Sequence, residues 1–176
     1  MKVIKPLPIL SVAAIAAVSL TVAVRAGGDK VAFPPDYAKG VLYTTVDRAD
    51  NKQFRELYAP QAAIDAVKAG KPIPSGTVLT MVNFKAKLGA DGNTEKDANG
   101  RFIKTDELAG IAVMEKRTGW GAEYPDDVRN GEWEYQAFKA DKTVNDKANL
   151  KGCFTCHKPL DKQDFVFSFD KMKTAK

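Results

Sequence analysis

The chain has a single histidine and only two cysteines in 176 residues. Two thiols allow one disulfide at most, so no cystine framework holds this fold together. One imidazole excludes any site built on two histidines. A tetrahedral zinc site fails by count, because no fourth Cys or His exists to complete it. Ser-His-Asp and phosphate-loop patterns are missing. So is any Lys/Arg block interleaved with aromatics; the 27 basic residues are scattered among 22 acidic ones. Nucleic acid binding therefore has no support in the composition. There is no internal repeat and no low-complexity segment.

At the N-terminus, Lys2 and Lys5 precede an apolar run from Leu7 to Val24, broken only by Pro8, Ser11, Ser19 and Thr21. A positive start, a short apolar stretch and a small-residue exit read as a secretory signal peptide over residues 1–26, cut after about Ala26. The competing reading is an uncleaved anchor, since roughly 18 residues can just span a bilayer. Its alanine content and the Gly27-Gly28 that follows favour cleavage. Either way, residues 27 onward are expected outside the cytoplasm, in the periplasm. The mature segment 27–176 has the size of one domain and carries 24 basic against 22 acidic residues, a net charge of +2.

Both cysteines and the only histidine fall within five positions: Cys153-Phe154-Thr155-Cys156-His157. This spacing is the attachment signature of c-type haem. Each thiol adds across one vinyl group, and the next residue brings its imidazole to the iron as the axial ligand. The motif thus predicts one covalent haem c on Cys153 and Cys156, with His157 as the metal ligand. A structural disulfide competes in an oxidising compartment, but it leaves the placement of the only His unexplained. A thioredoxin-like redox motif also competes; it normally opens a helix early in its domain, whereas 19 residues follow His157 here.

The rest of the mature chain predicts an α+β domain dominated by an antiparallel sheet with a few short helices. Residues 40–48 read as a strand rich in β-branched and aromatic types. Residues 60–69 read as a helix with Pro60 in its first turn and Gly70 ending it. Residues 76–87 read as a strand with Val78, Thr80, Val82 and Phe84 on one face. Residues 89–100 form a polar hairpin loop. Further strands are expected near 107–117 and 132–141, and Phe165, Phe167 and Phe169 recur at period two in a last short strand.

Motif, position and strand content together resemble the cytochrome P-460 family, which includes the β-sheet cytochromes called c′-beta. Small helical cytochromes attach haem near the N-terminus, and the four-helix cytochrome c′ has no room for strands between residues 77 and 141. Four stretches carry the resemblance: Phe33-Pro34-Pro35-Asp36-Tyr37, Gly76-Thr77-Val78, Glu132-Trp133-Glu134-Tyr135, and Cys-x-x-Cys-His-Lys with Asp164-Phe165-Val166-Phe167 downstream. The resemblance implies an antiparallel β fold, usually a homodimer, and a haem whose distal side is open to small nitrogen ligands. Members either oxidise hydroxylamine, passing electrons to a partner cytochrome, or bind nitric oxide and related gases.

Within that family the enzymes carry an extra bond from a Lys to the porphyrin edge. Read across without a gap, the position of that lysine is Met81, which offers no nitrogen. Lys85 and Lys87 follow on the same strand, but Lys85 is four residues on, roughly 13 Å away. This departure favours the uncross-linked c′-beta branch. With one histidine, the sixth iron site is open or taken by a Met, Met81 or Met114, which would make an electron-transfer cytochrome; core packing is the other reading of both. Phe54, in a segment similar to the family's distal region, is a candidate aromatic cap, or simply core. Lys158, Arg48 and Arg55 are candidate propionate partners or surface residues. Glu115 is a candidate distal acid or base, or an outward strand residue, and Trp120 a lid or dimer contact.

Overall fold

Val, Thr and Tyr along residues 41–48 favour extended backbone, and the computed structural model, which describes residues 30–176, opens its sheet there. Five strands run in order: β1 (Val41–Arg48), β2 (Gln53–Ala59), β3 (Val78–Ala86), β4 (Lys104–Lys116) and β5 (Trp133–Phe138). Each pairs antiparallel with the next, giving the order β1-β2-β3-β4-β5. Among the described residues, three short α-helices, α1 (Gln61–Lys68), α2 (Leu150–His157) and α3 (Phe169–Lys173), and two 3-10 turns, Tyr37–Lys39 and Lys158–Gln163, complete the domain. The fold is α+β, as expected. The proposed signal peptide lies outside the described residues.

Strand parity divides the sheet into two faces. On the first, Leu79, Met114, Trp133 and Tyr135 are buried beneath Ala63, Ile64 and Val67 of α1, Phe154 of α2 and Met172 of α3. On the second, Val82, Ile111, Val113 and Phe138 are covered by Val31 and, around them, Phe33 and Tyr37. Val78 and Phe84 pack on this second side with Val82, so the expected face of β3 is found. Pro60 is the N-cap of α1 rather than a first-turn residue, with ψ at 144°.

Two elements differ from the sequence reading. Residues 53–59 form β2, an internal strand where none was assigned. Its charged residues Arg55 and Glu56 mask the alternation, because this strand is only half-buried over most of its length. The expected strand through Phe165, Phe167 and Phe169 does not form. Phe165 has φ +59°, Phe167 lies in a turn and Phe169 opens α3. These three rings do not line one ladder: Phe165 and Phe169 pack on the first-face core, while Phe167 is 62% exposed.

The polar stretch 89–100 is a loop, laced by isolated bridges Leu88↔Thr94 and Lys96↔Phe102. It is clamped to β1 by Asp47, which accepts from Arg101 Nε (2.8 Å) and Nη2 (3.0 Å) and from the Phe102 backbone N–H (3.1 Å). Asp47→Asn should lower stability at pH 7 by about 1.5–3 kcal/mol, the range for bonds to a charged group, read as a fall in the urea midpoint. The Arg101 bond holds the Asp47 carboxyl below its ordinary value. A lowered folded value stabilises above the unfolded carboxylate pKa, and that contribution is lost as pH falls through the folded one. The difference between wild type and variant should therefore close in acid. A difference that stays constant down to acid denaturation would remove Asp47's charge from the explanation.

Candidate functional site

Asn149 caps α2 by accepting from the Gly152 N–H at 3.1 Å, which fixes where the helix begins. Cys153, Cys156 and His157 then lie at i, i+3 and i+4, on one side of the helix. Cys153 is half-buried and Cys156 exposed, and both thiols are free. Burial raises the Cys153 thiol above its ordinary value. Phe154 points the other way and is 1% exposed. It meets Tyr135 and Tyr124 edge-on, with centroids 4.7 and 5.2 Å away, and its carbonyl accepts from Asn130 Nδ2 at 3.0 Å.

His157 ends the helix with its ring between Tyr135 (5.1 Å) and Phe167 (5.0 Å). Its Nδ1 lies 2.6 Å from the Phe165 carbonyl oxygen. A carbonyl only accepts, so Nδ1 is the protonated nitrogen and Nε2 keeps its lone pair. Burial lowers the imidazole below its ordinary value, against the smaller opposing pull of the Phe165 carbonyl. The side chain is thus a neutral imidazole near pH 7, the form that ligates a metal. Gly131 makes room for this arrangement: a Cβ there would stand 3.0 Å from Phe165 Cε2.

Tyr135, beside His157, belongs to the cross-strand row Tyr135–Met114–Leu79 on the first sheet face. The next row on that face is Ala137–Ala112–Met81–Leu57, continuing to Thr44 on β1. These five residues are all half-buried, where the helices no longer cover the sheet. Beyond them come Asn83 and Arg55, paired across β3 and β2. Asn83 Nδ2 donates to the Gly110 carbonyl, while its buried Oδ1 has no hydrogen-bond partner among the described residues. Arg55 donates to Gln53 Oε1 at 3.0 Å, and burial pushes its guanidinium below its ordinary value.

Of the residues singled out in the sequence, Cys153, Cys156, His157, Met81 and the propionate candidate Arg55 share this side of the molecule. Met114 is in the same face but only 9% exposed, within the core. Phe54 is on the other face: it pairs with Phe84 and Asp47, with the Arg101 guanidinium 5.7 Å above its ring. Its parity with Tyr58 and against Leu57 turns it away from His157. Glu115 also faces the second side, buried and bonded to Arg117. Trp120 packs against the second-face cluster with Lys30 and Arg117 each 5.7 Å from its ring. Lys158 donates to the carbonyls of Asp126 and Arg129. Arg48 is paired with Asp50 (2.7 Å), Lys87 with Glu95 (2.7 Å), and Lys85 with Glu107.

Sequence reasoning did not find Leu57, Ala112, Ala137 or Asn83. The signal for Leu57 was present, since recognising β2 as a strand fixes its parity. The others are brought to the site only by register.

A haem c group needs two thiols on one side of a helix, a neutral imidazole with a free nitrogen, and an uncovered apolar surface beside it. The residues present fit on all three counts. No curated protein matches the chain. The family model described as Cytochrome P460 matches residues 34–168, and members of that family bind haem. The matched span runs over more than three quarters of the chain, taking in all five strands, the Cys153–His157 helix and the Phe165 carbonyl that orients its histidine: the chain belongs to the cytochrome P460 family.

Proposed function

We propose that the chain is an exported, periplasmic mono-haem cytochrome that binds nitric oxide or related small nitrogen ligands. One haem c would be carried on Cys153 and Cys156, with His157 Nε2 as the axial ligand. Bound there, the group would supply a ferrous iron able to take a diatomic ligand. The observation that carries this reading is the composition of the sheet face beside His157. Leu57, Met81, Ala112 and Ala137 are half-buried there and bring no imidazole, amine or carboxylate. These four side chains exclude water and give an anionic ligand no donor, the Thr44 hydroxyl standing at the β1 end of the row, so neutral diatomics are preferred over cyanide or azide. Asn83 and Arg55 stand one row further off.

The absence of a lysine at Met81 supports the c′-beta branch over hydroxylamine oxidation. Lys85, the nearest lysine further along β3, is engaged with Glu107. A homodimer and a redox partner cytochrome belong to this reading as the resemblance implies them. A second reading, an electron-transfer cytochrome, is favoured by Met81 itself, whose thioether lies on the uncovered face. The ferrous absorption spectrum, with and without nitric oxide, decides between them. The expected result is a five-coordinate spectrum that changes on adding nitric oxide, in wild type and Met81→Ala alike. If Met81→Ala converts a six-coordinate low-spin spectrum into a five-coordinate one, the electron carrier takes its place. A wild-type mass showing a third haem link within residues 76–87 restores the hydroxylamine reading.

A further inference from the structure

The backbone corner that holds His157 is itself held from a distance. Asp164 and Phe165 are consecutive left-handed residues, at φ +49° and +59°. Residues other than glycine visit this region singly and at a cost, and such a conformation persists only where its surroundings over-determine it. Here one carboxylate does so. Asp164 Oδ1 and Oδ2 accept from Lys116 Nζ at 2.9 and 2.7 Å. Oδ1 also accepts from Trp133 Nε1 at 3.1 Å, and Oδ2 from the Ile73 backbone N–H at 3.2 Å. Lys116 and Trp133 are cross-strand partners on β4 and β5, and Trp133 is fully buried. The rigid sheet fixes the carboxylate, the carboxylate fixes the corner, and the next carbonyl receives the His157 Nδ1–H.

We propose that Asp164 is a positioning residue for the axial ligand. By clamping the corner to Lys116 and Trp133, it keeps the Phe165 carbonyl on His157 Nδ1 and sets how strongly the imidazole donates to iron. The inference rests on the haem c reading above. A strong bond at Nδ1–H raises electron density at Nε2, strengthens the iron–histidine bond and favours the ferric state. Because Lys116 neutralises the Asp164 charge, the influence passes through position and not through a net field.

Position and field can be separated by experiment. Asp164→Asn removes a negative charge and Lys116→Met a positive one, yet both break the same clamp. In the haem-loaded full-length protein, both variants should lower the ferrous iron–histidine stretching frequency and shift the reduction potential positively. The His157 Nδ1–H is the one proton of its kind in the chain, and its exchange should become about tenfold faster, the factor for losing one net hydrogen bond. Trp133→Phe keeps an aromatic ring and both charges of the clamp while removing the Nε1 donor together with the rest of the buried indole, so it should give a smaller shift in the same direction and serves if the other two fold poorly. Opposite potential shifts in Asp164→Asn and Lys116→Met would mean a charge effect and overturn the proposal. So would an unchanged iron–histidine band with haem attached. A wild type without covalent haem overturns the haem reading and this inference with it. A wild type that attaches haem but ignores nitric oxide overturns only the ligand assignment, and the clamp prediction is still read from the band and the potential.

Discussion

Replacing Cys153 and Cys156 together with Ala should release all haem from the polypeptide under acid-acetone or denaturing conditions, while the wild type keeps it. Two thioether bonds survive unfolding, whereas an iron–imidazole bond and apolar contact do not. The two thiols occupy unequal surroundings, one half-buried near Tyr135 and the other exposed. Either thioether alone should still hold the group through denaturation, so each single variant keeps haem and only the double loses it. His157→Ala gives the complementary result, with haem retained on the chain but its axial ligand gone. The measurement is haem absorbance in the supernatant and pellet after precipitation, with intact mass for the adduct. Wild-type protein from a host that matures c-type cytochromes, recovered without covalent haem, would refute the central assignment.

That assignment was legible because its chemistry is local. Two vinyl groups and one iron set the spacing of three residues on one turn of helix, so the motif is contiguous in the chain. The opposite side of the site was not legible in the same way. Leu57, Met81, Ala112 and Ala137 come from four strands, and only the register aligns them. Phe54 shows how far a local reading can go wrong there. It sits three residues from Leu57, and an odd separation on a strand turns a side chain to the opposite face. The clamp on the proximal side is more remote still. Asp164 reaches partners 31, 48 and 91 residues away in sequence. Its left-handed corner also breaks the period-two pattern of Phe165, Phe167 and Phe169 that otherwise reads as a strand.

Phe154→Ala should cost about 3–5 kcal/mol, the range for deleting a buried aromatic ring, without releasing haem. Phe154 sits between the two cysteines, yet it serves the core. It is 1% exposed, it packs edge-on against Tyr124 and Tyr135, and its backbone carbonyl is tied to Asn130. Helix α2 has only eight residues, too few to hold together alone in water, so this ring is what seats Cys153, Cys156 and His157 against the sheet. A domain of this size is stable by about 5–15 kcal/mol, which makes the loss about a fifth of the total or more. Thr155, the other residue between the cysteines, is exposed and bonds only its own helix. Thr155→Ala should therefore stay within about 0.5 kcal/mol of wild type. Urea unfolding of the haem-loaded proteins reads the stability, and haem staining after denaturing electrophoresis reads the attachment. A large midpoint shift for Phe154→Ala with undiminished staining is expected. Equal midpoints for the two variants would show that the ring does not anchor α2.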